Sequence, residues 1–101
     1  MIIFNTTYHV DDEIHDDYLR HIREIFIPQA LESGFLYEAR LARIVAQHNE
    51  PGTSYSLQFR VKNSDTLRLW LDTGGDSLNK DLVARFGNKV AGFVTLLEEM
   101  D

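Results

Sequence analysis

The chain has 101 residues, ten basic against sixteen acidic for a net charge of −6, with 44% hydrophobic and 11% aromatic residues and no cysteine. That length predicts a single domain over residues 1–101 with enough apolar surface for its own core. The charge repels a phosphate backbone, and the missing thiols exclude a disulfide framework, a cysteine nucleophile and an iron–sulfur cluster on protein thiolates.

Residues 2–10 alternate, with Ile2, Phe4, Thr6, Tyr8 and Val10 on one face and Ile3, Asn5, Thr7 and His9 on the other, which is a strand period. Asp11 or Asp12 then caps a helix with an acidic first turn, where the dipole favours negative charge. Its buried stripe is Ile14, Tyr18, Ile22, Ile25 and Phe26. Pro28 is expected to kink it or to start a second short helix, because the residue before a proline is pushed away from helical angles. Gly34 is a natural stop.

Residues 35–47 read as a second strand of ambiguous facing, since Leu41 and Val45 sit on one phase and Ile44 on the other. A turn is expected over 48–53. Residues 54–62 alternate again, Tyr55, Leu57, Phe59 and Val61 against Ser54, Ser56, Gln58, Arg60 and Lys62. Asn63 or Ser64 opens the next helix, with Leu67, Trp70 and Leu71 inward. Gly74-Gly75 should break it, and Asp76 or Ser77 should cap a restart carrying Leu78, Leu82 and Phe86. Gly87 ends it. In the last strand, 89–98, the alternation vanishes, and apolar residues occupy both faces.

The order βαββαβ predicts an α+β, ferredoxin-like sandwich: a four-stranded antiparallel sheet of order 4-1-3-2 with two helices on one face. Trp70, Leu67, Ile22, Phe26, Leu57 and Phe59 are expected in one core. No stretch approaches the roughly 20 apolar residues of a membrane span, and the N-terminus lacks the apolar run of a signal peptide. A cytoplasmic protein without membrane or nucleic-acid partners is expected.

Several motifs compete for a chemical reading. Asp72-Thr73-Gly74 matches the triplet of aspartic proteases, but it follows a helical stripe, whereas that chemistry needs two carboxylates on rigid loops of an almost all-β subunit. His9, Asp11, Asp12, His15 and Asp16 are metal-donor types, yet solvated acidic first turns explain them, and no metal is expected. Tyr55 and Phe59 could stack RNA bases, but they share the core phase with Leu57 and Val61.

What remains is the sheet face away from the helices, with Asn5, Thr7, His9, Ser56, Gln58 and Arg60 on two neighbouring strands. Beside the two-sided apolar last strand, this face is expected to be covered by a second copy of the chain. Enclosed there, Arg60 needs a carboxylate or an anionic ligand. Arg60 is the expected anchor, Asn5 and Gln58 orient a small-molecule ligand with Thr7 and Ser56, and His9 is the candidate acid or base. The alternative is a dimer or partner interface without a ligand. Whether the protein is an enzyme is left open.

MIIFNTTYHVDD, ARLARIV, SYSLQFRV and KVAGFVTLLEEM together resemble a small bacterial family of unknown function. That family is similar in architecture to the dimeric α/β barrels, in which two ferredoxin-like sheets face each other. The wider group includes cofactor-free antibiotic-biosynthesis monooxygenases, haem-degrading oxygenases and muconolactone isomerase. Asn5 and Trp70 are similar to two residues of the haem-degrading members, but no histidine follows Trp70 to ligate iron. No cofactor is therefore expected.

Overall fold

The computed structural model describes residues 1–45 and 51–100. Residues 48–50 of the turn expected over 48–53, and the far end of the expected second strand, 46–47, lie outside the described residues. In order come β1 (Ile2–Val10), a 3₁₀ turn (Asp12–Ile14), α1 (His15–His21), a π-turn (Ile22–Phe26), α2 (Ile27–Glu32), β2 (Leu36–Arg43) and β3 (Thr53–Val61). There follow α3 (Ser64–Trp70), a second π-turn (Leu71–Gly75), α4 (Asp76–Phe86), a 3₁₀ turn (Gly87–Lys89) and β4 (Val90–Glu98). The sheet order is β2-β3-β1-β4, all antiparallel, as the βαββαβ reading requires.

Alternation decides the two layers. Phe4, Tyr8 and Val10 of β1 and Tyr55, Leu57, Phe59 and Val61 of β3 are buried under Tyr18, Ile22 and Phe26 from the first helical arm. Leu67, Trp70, Leu78, Leu82 and Phe86 come from the second. The six expected core residues are all there. Asp11 caps the first turn by accepting from Glu13 N–H at 2.8 Å, and Asn63 caps α3 by accepting from Thr66 N–H at 2.8 Å.

Three expectations need correction. Ile27, before Pro28, keeps helical angles (φ −60°, ψ −48°). The π-turn ahead of it lets Ile27 N–H reach the carbonyl of Ile22 and loosens the turn into which the proline ring must fit. The second arm bends at Gly74-Gly75, but Asp76 makes no cap, because helical residues run straight into it from Gly75. Asp72 lies exposed on that π-turn, where Thr73 Oγ1 donates to the carbonyl of Leu69 at 2.7 Å and favours the bend.

His21 is 5% exposed, edge-on to Phe86, with neither ring nitrogen hydrogen-bonded among the described residues. Finally, β4 was expected to pack one face on the helices. Instead Val94 (55% exposed) and Leu96 (49%), on the helix side, and Phe93 (64%) and Leu97 (41%), on the other, are all open. As the edge strand beyond β1, it is only partly covered by the helical layer: Val90 packs on the core, while Asn79, Leu82 and Val83 of α4 stand across an open hollow from Gly92 and Val94.

The buried His21 carries a pH dependence. Burial, and then the nearby Arg85 cation, lower its pKa from the ordinary 6.5, with Asp81 opposing. The unfolded chain therefore takes up a proton that the folded one resists, so this group costs stability as pH falls below about 6.5. Thermal denaturation from pH 7.5 to 5 should show a melting temperature that falls, and falls less steeply in His21→Leu. Parallel curves for the two proteins would mean that His21 has a partner in solution.

Candidate functional site

On the face away from the helices, the register sets β1 residues against both neighbours. Asn5 lies opposite Gln58 and Thr95, Thr7 opposite Ser56 and Phe93, His9 opposite Ser54 and Ala91, and Ile3 opposite Arg60 and Leu97. The six sequence-predicted residues do share one face. They do not form one cluster.

Three groups result. At the centre, Ser56 Oγ donates to Asn5 Oδ1 at 2.5 Å, and Asn5 Nδ2 donates to Thr7 Oγ1 at 3.2 Å. Asn5 is only 8% exposed, so this chain of hydrogen bonds satisfies an amide that would otherwise be costly to bury. His9 occupies one end, with Nδ1 2.9 Å from Ser54 Oγ and Nε2 3.0 Å from the carbonyl of Pro51. A carbonyl only accepts, so Nε2 carries the proton and Nδ1 receives the serine hydroxyl. The ring also braces the chain at Gly52, where φ is +93° and a Cβ would come within 2.7 Å of Nε2.

Arg60 lies at the other end, separated from His9 by six positions of register, roughly 20 Å at ordinary strand rise. Its Nε and Nη2 donate to the two oxygens of Glu99 at 3.0 and 2.6 Å, and its Nη1 donates to Glu38 Oε2 at 2.7 Å. Those carboxylates, Glu38 foremost, hold the guanidinium above its ordinary pKa. Around it opens a cleft of about 300 Å³ lined by Ile3, Glu38, Arg40, Gln58, Arg60 and Glu99.

Glu38, Arg40 and Glu99 escaped the sequence reading for a local reason. Tyr37 opposes Arg60 and Arg40 opposes Gln58, so Glu38 and Ala39 together oppose Phe59. This β-bulge reverses the alternation along β2, putting Leu36 and Leu41 on the same face. Glu38 takes φ +55°, the left-handed region, and its side chain turns toward Arg60. The opposed phases of Leu41 and Val45 against Ile44 lie past this bulge, at the end of the strand, where Ile44 and Val45 are exposed. Glu99 is placed by its N–H, which donates to the carbonyl of Met1 at 3.0 Å, one step past β4.

Elsewhere, a larger surface hollow of about 590 Å³ lies over the acidic start of the first arm, between Asp12, His15, Asp16 and Arg43. There His15 Nε2 is hydrogen-bonded to the Tyr55 hydroxyl and Nδ1 lies 3.2 Å from Asp16, so His15 is engaged away from His9. Among the described residues no group of three His, Cys, Asp or Glu side chains is arranged to hold a metal ion. Tyr8, pushed up to about 12 by burial, and Tyr18, raised further by burial and by its neighbours Tyr8 and Tyr55, stay neutral and serve packing. No helix among the described residues is long and apolar enough to cross a membrane.

Solved structures share this architecture. The chain is 17% identical to an antibiotic biosynthesis monooxygenase, with a TM-score of 0.72 and coverage of 100% of both chains. It is 16% identical to an ethyl tert-butyl ether (EthD) family protein from Bacillus halodurans, with a TM-score of 0.72 over 99% of this chain and 100% of that one. With HapK from Hahella chejuensis the identity is 13% and the TM-score 0.73, over 99% and 93% of the two chains. At such identities the likeness establishes the ferredoxin-like fold alone. No curated protein matches the chain. The sequence profile of the family described as Domain of unknown function (DUF4286) matches residues 1–100, and the chain belongs to that family.

Proposed function

We propose that the protein is a cytoplasmic homodimer that binds a small organic molecule on the sheet face opposite the helices, enclosed by the same face of a second copy. The observation that carries this is the composition of that face. A hydrogen-bonded polar strip, Asn5, Thr7 and Ser56, runs into the cleft at Gln58 and Arg60, beside Phe93 and Leu97, which are 64% and 41% exposed. A concave polar site flanked by uncovered apolar side chains has the character of a ligand cleft, and the resemblance to barrels with facing sheets supports the second copy as its cover. His9 lies at the far end of the same face, and a proton-transfer role there requires a ligand that reaches it and breaks one of its two contacts.

A second reading, a dimer or partner interface without a ligand, is favoured by one specific fact. Arg60 already has two carboxylates, and Asn5, Thr7 and Ser56 satisfy one another. The two readings separate on ligand binding. A thermal-shift screen of small organic molecules should yield hits that perturb the amides of Gln58 and Arg60; a screen without hits in a dimeric protein selects the second reading.

Both readings require association. Sedimentation at micromolar concentration should show a dimer. Burying a Phe side chain is worth about 1.5–3 kcal/mol, so Phe93→Glu should weaken association at least roughly tenfold. The variant monomer should still fold, because Phe93 is 64% exposed. A wild-type monomer under those conditions would sink the proposal.

A further inference from the structure

We infer that Glu38 is a built-in occupant of an anion seat, and that Nη1 of Arg60, with Arg40, takes the carboxylate of a small organic acid when Glu38 swings away. This rests on the cleft being a ligand site.

The two carboxylates on Arg60 are not equivalent. Glu99 holds the Nε/Nη2 edge with both of its oxygens, and its side chain is 26% exposed. That bidentate grip fixes the plane of the guanidinium and so the direction in which Nη1 points. Glu38 makes a single contact, at 2.7 Å, from a side chain 51% exposed. It reaches Nη1 only because the bulge holds it at φ +55°, a conformation that L side chains rarely adopt and that tends to mark functional positions. One carboxylate is a fixture. The other is held under strain at the mouth of the cleft, where an incoming anion can replace it.

Charge supports the exchange. Among the described residues Arg40 has no carboxylate within ion-pair distance, although it lines the same cleft, opposite Gln58. With Glu38 in place, two arginines face two carboxylates. With Glu38 displaced, Arg40 and Arg60 face Glu99 alone, and the site takes one negative charge. Ile3 gives the cleft an apolar side, and its volume of about 300 Å³ suits a small carboxylic acid. The planar guanidinium suits a carboxylate, as Glu38 itself demonstrates.

The test uses benzoate and its neutral analogue benzamide as probes, followed by isothermal titration and by the NMR signals of the Gln58 amide and the Arg60 Nε–H. Glu38→Gln should bind benzoate at least tenfold more tightly than the wild type, with benzamide unchanged. Glu38→Gly, which accepts the positive φ, should do the same. Glu99→Gln should bind benzoate no more tightly than the wild type, because the seat loses its orientation. Asp72→Asn, which removes the same charge on the helical layer, should leave benzoate binding unchanged. If both Glu38 variants bind benzoate no more tightly than the wild type, or if Glu99→Gln tightens it equally, the inference is wrong. In either case the cleft reading survives as long as benzamide still shifts the Gln58 and Arg60 signals. If neither probe shifts them in any variant, both fall.

Discussion

Trp70→Ala should lose about 3–5 kcal/mol of folding stability, the cost of truncating a large aromatic in a packed core. Trp70 is 3% exposed and meets Phe4 edge to face, with ring centroids 5.8 Å apart. It thereby ties the second helical arm to β1, one of the two central strands. Native domains are stable by only about 5–15 kcal/mol, so the variant should unfold at much lower urea with an unchanged slope. A loss below about 1 kcal/mol would show that the indole is free in solution and return it to consideration as a ligand contact.

Gly75→Ala is the companion case, and its sign is decided by a competition. In a helical setting Ala is favoured over Gly by about 1 kcal/mol. Against this, a Cβ at position 75 would lie 2.7–2.8 Å from atoms of the Trp70 ring, which cannot retreat from a full core. Overpacking of this kind costs about 1–3 kcal/mol, so the clash should win and the variant should be destabilised. The cause can be isolated by a double-mutant cycle. In the Trp70→Ala background the obstacle is gone, and Gly75→Ala should become neutral or stabilising. Destabilisation of the same size in both backgrounds would place the strain in the backbone instead. Gly75 in LWLDTGG thus serves to seat the indole.

What could be read in the chain beforehand follows from the range of the forces. The strands β1 and β3 declared themselves by their alternation, and Asp11, Asn63, Gly34 and Gly87 act within a turn of where they stand. The place of Glu38 beside Arg60 was hidden because a bulge inserts a residue at Glu38–Ala39, which only the partner strand can reveal. The burial of His21 is settled by its packing against Phe86, 65 residues away, which no local pattern announces. The polar face was legible residue by residue; its division was not. Arg60 meets Glu38 and Glu99 across separations of 22 and 39 residues, and no local pattern announces pairings of that length.

The position of β1 governs how the molecule is assembled. This strand comes first among the described elements, yet both of its partners lie far along the chain, with Ile2 opposite Val61 on one side and opposite Glu98 on the other. It has no near neighbour with which to form a hairpin, so each of its edges waits on a long loop closure, the kind of contact that slows folding. The two sides need not close together. A partly folded species in which β3 has docked but residues 90–98 have not would present the hydrogen-bonding edge of β1 to any extended segment nearby. The interval just before the last strand arrives is therefore when the chain is most exposed to pairing with the wrong one.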